Sequence, residues 1–195
     1  MYRVIGTGRT RAFRVIWMLE ELGQPYELVP APPQSEGVVA FNPSGKVPVL
    51  IVDGVPVTDS TAIIQYLADR HGALTHPAGT LERARQDSLT QFLLDEYDAV
   101  LWTAARHTFV LPEEMRVSAI KDTLRWEFRR SQDILKQRVG EGPFLMGETM
   151  TVPDIILTHC LSWAQMAHFP IMDCWLSKYW QVICERLAYK RAAAR

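Results

Sequence analysis

Between Asn42 and Ser60 the chain reads N-P-S-G-K-V-P-V-L-I-V-D-G-V-P-V-T-D-S, and this stretch restricts the fold more tightly than any other. Pro48 has no amide proton to give to a sheet ladder. Behind it, Val49, Leu50, Ile51 and Val52 form the β-branched run of a buried strand. The proline therefore belongs at the strand's first position or on its edge. Asp53-Gly54 turns the chain into Val55-Pro56-Val57, and Thr58, Asp59 or Ser60 caps a helix that continues Ala62-Ile63-Ile64-Gln65-Tyr66-Leu67. With a cis Val47-Pro48 bond, the N–H and C=O of Val47 turn outward and pair with an extended peptide as if it were another strand. The helix start offers its free N–H groups to an anion.

The rest of the chain divides around this segment. Before residue 75, β-branched runs alternate with helical ones: Arg3 to Gly6, Thr10 to Leu22, Glu27 to Pro30, Val49 to Val52, Pro56-Val57 and Ser60 to His71. The first crossover is long enough to make its strands parallel, and the Asp-Gly turn makes the last pair antiparallel. The expected fold class is α+β: a thioredoxin-like βαβαββα domain with a mixed sheet over residues 1–74, followed by an all-α domain. Gly23 and Gly72 follow the last periodic residues of their helices, as left-handed caps do. Residues 75–82 read as a linker, and 83–195 as helices. There Phe92, Leu93, Tyr97, Val100, Leu101, Ile120, Leu124, Phe128, Ile134 and Leu135 recur at three- and four-residue spacings, with Pro112 between two long helices. Thr151-Val152-Pro153-Asp154 has the form of a capping box, which makes Asp154 structural. The terminal K-R-A-A-A-R reads as a fraying end.

Composition excludes several classes. With 48% hydrophobic residues in 195, the chain buries a sizeable core. A formal net charge of −1 gives no drive toward nucleic acid or an anionic membrane. Cys160, Cys174 and Cys184 stand in no C-x-x-C arrangement, and the five histidines form no H-E-x-x-H pattern, so neither a disulfide framework nor a metal is expected. No leader or membrane span is read, and the expected location is the cytoplasm.

Three motifs in order resemble the glutathione transferase family. The opening R-V-I-G-T-G-R-T-R-A-F-R-V-I-W-M-L-E-E-L-G-Q-P-Y-E resembles its first strand and helix. N-P-S-G-K-V-P through T-D-S-T-A-I resembles its ligand loop and third helix, and F-L-M-G-E-T-M-T-V-P-D-I-I-L its helical folding box. The resemblance implies glutathione as co-substrate. Asp59 and Ser60 then bind the γ-glutamyl group, Val47 beside Pro48 pairs with the cysteinyl backbone, and Lys46 meets the glycyl carboxylate, with Gln34 as a further contact. In the serine-type branch, a hydroxyl at the start of the first helix stabilises the thiolate. Here that turn reads Thr7-Gly8-Arg9-Thr10-Arg11 and has no serine. Thr10 is the candidate hydroxyl. Its alternative role is helix cap, and Arg9 and Thr7 are alternative thiolate partners.

The resemblance further implies an electrophile pocket between the domains, with Tyr97, Leu101, Trp102 and Arg106 as candidates beside Ala105 and His107, and a homodimer. The chain is shorter than many members, which implies the absence of a terminal helix over the site. The implied activity is conjugation of glutathione to a small apolar electrophile. Peroxide reduction or lyase chemistry on the same site, a non-catalytic interaction protein and a carrier of apolar compounds are the alternatives.

Overall fold

A computed structural model describes residues 1–172 and 174–195. The chain forms two compact units, residues 1–78 with 183–195 and residues 79–182. In the first, strands β1 (Tyr2–Ile5), β2 (Tyr26–Val29), β3 (Val49–Val52) and β4 (Val55–Thr58) make one sheet in the order β2-β1-β3-β4. β1 and β2 are parallel, with Tyr2 opposite Tyr26, while β1–β3 and β3–β4 are antiparallel. The mixed sheet expected from the crossover lengths is the one that forms. Asp53 and Gly54 take φ of 51° and 83°, the paired left-handed geometry of a tight hairpin. Pro56 sits on the edge strand, opposite Ile51, where its missing N–H costs least.

Helix α1 (Ala12–Glu21) carries an apolar run on nearly every face, and residues 12–19 are all buried. It packs against α3 (Ser60–His71) and against α9 (Leu187–Ala193), while the short α2 (Glu36–Val39) lies between β2 and β3 in the chain. Ile5, Ala31, Val38, Val49 and Ile51 form a buried cluster with Val29 and Val47 at its margin. Gly72 ends α3 at φ 62°, ψ 32°, a left-handed cap that no side chain obstructs.

Two boundaries differ from those read off the sequence. The helical periodicity places residues 183–195 in the helical domain, but they group with the first unit, and K-R-A-A-A-R lies largely in a packed helix instead of fraying. The reason is a contact that no local pattern encodes. Tyr189 stands edge-on to Phe13 and Trp17, with ring centroids 5.2 and 5.0 Å apart. Each such pair contributes about 0.5–1.5 kcal/mol beyond its buried area. Arg186 makes two 2.7 Å bonds to Glu21, and Arg191 makes one of 2.7 Å to Glu20. The linker is also shorter than 75–82: Thr80 Oγ1 accepts from the Arg83 amide at 3.1 Å, and helix α4 (Leu81–Leu93) has begun by Leu81.

In the second unit, α4 runs through a π-helical turn at Leu94–Asp98 into α5 (Ala99–Ala105), and a second π turn follows at Arg106–Val110. Pro112 then separates this array from α6 (Ile120–Arg138). Helix α7 (Val152–Met166) is the buried centre, and α8 (Cys174–Cys184) follows it. The capping box forms as expected: Asp154 accepts from the Thr151 and Leu145 amides at 2.8 and 2.9 Å and from the Tyr179 hydroxyl at 2.6 Å. Burial raises the Asp154 carboxyl, with these bonds acting in the opposite sense. Among the described residues no helix is long and apolar enough to cross a membrane.

Candidate functional site

The first unit brings three separated segments together. Gly6, just after β1, adopts φ 142°; a Cβ there would lie 2.7 Å from Ala12 Cβ and 3.3 Å from Val47 Cβ. Only glycine lets the loop after β1 approach both the start of α1 and the loop before β3. Arg14 on α1 reaches Ser60, the first residue of α3, with Nη1 donating to Oγ at 3.3 Å. The loop after β1, the loop before β3 and the start of α3 thus meet around α1.

The Asn42–Pro48 loop is built by its own side chains. Asn42 Nδ2 donates to the Lys46 carbonyl at 2.8 Å, and its Oδ1 accepts from the Ser44 amide at 3.1 Å and hydroxyl at 2.8 Å. Gln34 lies across the same loop: its amide donates to the Gly45 carbonyl at 2.8 Å, and its Nε2 donates to the Ser44 carbonyl at 3.0 Å. Gly45 leaves room for that side chain, since a Cβ would fall 2.3 Å from Gln34 Oε1. Lys46 is exposed, and the Val47-Pro48 bond is cis. Among the described residues, nothing pairs with the Val47 N–H or C=O.

At the head of α3, Asp59 takes φ 70°, ψ 123°, and its Oδ1 accepts from the Thr61 and Ala62 amides at 2.9 and 3.0 Å. The Ile63 amide donates to the Asp59 carbonyl at 2.9 Å. Of the three residues that the sequence offered as caps, Asp59 takes the position. Ser60 is 3% exposed, with its oxygen engaged by Arg14.

The Thr10 hydroxyl donates to the Thr7 carbonyl at 2.8 Å, and its oxygen accepts from the Ala12 amide at 3.2 Å. In this geometry it supports the start of α1. Its single proton reaches another acceptor only by rotating away from Thr7, which gives up one hydrogen bond of about 1 kcal/mol. Arg9 is exposed beside it, and Thr7 is half-buried. The Tyr2 hydroxyl is bonded to His71 Nε2 at 2.9 Å, away from this turn in the chain.

Two of the candidate electrophile contacts do not line a surface. Tyr97 is fully buried and Leu101 is 1% exposed. Tyr97 stands edge-on to Phe92 and Phe128 at 6.1 and 5.1 Å, and Phe128 continues to Phe169 at 5.5 Å. Burial raises the Tyr97 phenol above its ordinary range, with Cys160, Glu96 and Asp133 adding to it. The resemblance implied a pocket here, but the three-and-four spacing of these two residues is that of a core-facing stripe. Trp102 is half-buried, and Arg106 is exposed with Nη2 donating to Thr103 Oγ1 at 3.0 Å. Among the described residues, Asp98, His159 and Cys160 bring potential metal-ligand atoms within 4.8 Å of one another, and each has other partners.

Gly6 and Arg14 were not singled out in the sequence. Arg14 carried the better signal: one charge inside A-F-R-V-I-W-M-L, on a helix otherwise apolar at these positions. Arginine is almost never fully buried without a partner.

A family model described as "Glutathione S-transferase, N-terminal domain" matches residues 12–77. Glutathione S-transferase 3 of Schizosaccharomyces pombe is 36% identical over 76 residues, 35% of this chain and 30% of that protein. Elongation factor 1-gamma of Trypanosoma cruzi is 31% identical over 124 residues, 63% of this chain and 29% of that protein. The chain thus spans less than a third of the length of these two relatives. The crystal structure of a glutathione transferase from Methylococcus capsulatus superposes with a TM-score of 0.84 at 25% identity, covering 98% of this chain and 97% of the other. The mixed four-stranded sheet, the capped start of α3 and the helical unit thus make the glutathione S-transferase fold along nearly the whole chain, and residues 12–77 resemble that family's N-terminal domain in sequence.

Proposed function

We propose that this chain binds glutathione and transfers its sulfur, as the thiolate, to a small apolar electrophile. The observation that carries the reading is the open backbone of Val47, in the same unit as the capped start of α3. The tripeptide's cysteinyl unit extends along Val47 beside Pro48 as an added strand. Its γ-glutamyl end meets Asp59 and Ser60, where a carboxylate is favoured by the helix N-terminus and an ammonium by the Asp59 carboxylate. Lys46 faces the glycyl carboxylate from the loop that Asn42 and Gln34 hold.

The chemistry asks for a thiolate near neutral pH, where a free thiol is mostly protonated. Thr10 supplies it by turning its hydroxyl from the Thr7 carbonyl to the sulfur, with Arg9 and Thr7 as the alternative donors at the same turn. The thiol proton leaves to water, and the sulfur lone pair forms the carbon–sulfur bond. A leaving group departs with its electron pair, or in conjugate addition the pair ends on the acceptor, which takes up a proton. Positioning and thiolate stabilisation are the protein's contribution. Trp102 and Arg106 are the remaining electrophile contacts. The reading includes a homodimer, which sedimentation velocity tests.

The experiment is calorimetric titration with glutathione, with thiolate absorbance followed against pH in the parent, Thr10→Ala and Thr10→Ser. Saturable binding with a lowered thiol pKa in the parent and in Thr10→Ser, restored in Thr10→Ala, supports the transferase. The 2.8 Å bond from Thr10 to Thr7, together with likeness to an elongation factor, favours one second reading, a glutathione-binding protein without turnover. Binding with an unchanged thiol pKa selects it, and absence of binding removes both.

A further inference from the structure

Arg14 is fully buried, and nothing in the proposed chemistry uses it. Its Nη1 donates to Ser60 Oγ at 3.3 Å, which sets the direction of that hydrogen bond. A guanidinium has donors only, so the serine oxygen accepts, and the serine's own proton is left for another acceptor. The guanidinium also stays charged at any working pH. A permanent cation therefore stands behind the first residue of α3, in a poorly solvated interior where charge acts further than in water.

The amides of that first turn are already divided. Thr61 and Ala62 donate to the Asp59 side chain and Ile63 to the Asp59 carbonyl, so the Ser60 N–H is the donor that these bonds leave. The Ser60 amide, the Ser60 hydroxyl and the charge behind them form one set, and each member favours an anion.

Building on the glutathione reading, we propose that Arg14 is a positioning residue for the free carboxylate of the γ-glutamyl group. It orients the Ser60 hydroxyl as a donor and supplies the buried positive charge, and it does not itself touch the ligand. The specificity it confers is for a peptide that carries a carboxylate at this end.

The test compares glutathione with an analogue in which a 4-aminobutyryl group replaces the γ-glutamyl residue, so that only this carboxylate is missing. Affinities are measured by calorimetry on the parent, Arg14→Met, Arg14→Lys and Ser60→Ala. The parent should prefer glutathione by about tenfold or more, the scale of a charge-assisted hydrogen bond. Arg14→Met should lose that preference by weakening glutathione alone, Arg14→Lys should keep part of it, and Ser60→Ala should reduce it with the arginine in place. If Arg14→Met does not fold, the lysine and alanine variants carry the comparison. Equal weakening of both ligands, the outcome of a merely structural arginine, overturns the proposal, as does an undiminished preference. A parent that binds neither ligand overturns the glutathione reading and this proposal with it, whereas a parent that binds glutathione confines any failure to Arg14.

Discussion

Replacing Asp59 with glycine should leave the protein more stable than replacing it with alanine, by about 1–2 kcal/mol. Asp59 performs two opposed tasks. Its carboxylate caps α3 through the Thr61 and Ala62 amides at 2.9 and 3.0 Å. Its backbone sits at φ 70°, ψ 123°, a conformation that L side chains seldom adopt. Losing the cap to alanine costs about 1 kcal/mol, and losing it to glycine only a few tenths. Holding a non-glycine residue at such an angle costs about 1–3 kcal/mol. Alanine keeps the Cβ and loses the cap, so it retains the backbone cost and adds the capping cost. Glycine loses the cap but releases the backbone cost, minus up to about 1 kcal/mol of extra freedom gained by the unfolded chain. Urea titrations of the two variants and the parent measure the order, provided that the three m-values agree. An alanine variant at least as stable as the glycine variant would show that the backbone angle stores no cost, and the reasoning fails. Glutathione titration of the same variants separates fold from binding, because both lose the carboxylate assigned to the γ-glutamyl ammonium and both should bind more weakly.

Further consequences follow from other packed groups. Tyr97→Phe should raise stability by about 1 kcal/mol, because among the described residues the fully buried hydroxyl has no hydrogen-bond partner and the ring contacts with Phe92 and Phe128 are kept; a fall in Tm would refute this. Arg186→Met should cost about 2 kcal/mol, between an exposed and a fully buried ion pair, because the Glu21 side chain is 7% exposed and would be left with the Trp17 Nε1 bond at 2.9 Å in place of its ion pair. Adding Glu21→Gln should recover part of that loss in urea melts. Acid should weaken the attachment of α9. At Glu20 burial acts upward, but the hydrogen bonds from Arg191 and then Tyr26 outweigh it and hold the carboxyl below its usual 4.5. A lowered folded value gives stability that is present above 4.5 and is lost as the pH falls through that lowered value. The Tm difference between parent and Arg191→Met should therefore be larger at pH 7 than at pH 3, and the same difference at both would exclude the linkage. The effect should also shrink in high salt, since the Arg191 side chain is 54% exposed.

Much of the first unit was legible because its signals are local. Pro48 before a β-branched run, the two left-handed positions at Asp53-Gly54 and the cap at Asp59 each depend on neighbours within a few residues. Their consequences therefore appear in order along the chain, and the mixed sheet follows from crossover length. The capping box at Thr151 and Asp154 is local in the same sense, although its further bonds to Leu145 and Tyr179 are not. The helical stripe of Tyr97 and Leu101 was legible as amphipathic but not as core. Three-and-four spacing identifies a face without saying whether protein or ligand covers it.

The amino-acid sequence by itself determined the order of elements in the first unit, the hairpin, the helix caps and the three motifs on which the family likeness rests, because each is set by propensity and spacing within a short window. Only the tertiary structure decided that residues 183–195 join the first unit, that the Thr10 proton goes to Thr7, and that Arg14 lies behind Ser60, 46 residues away in the chain. These are contacts between side chains distant along the chain, or rotors with more than one acceptor in reach. Their energies depend on which surfaces meet after folding, and no local pattern carries that information.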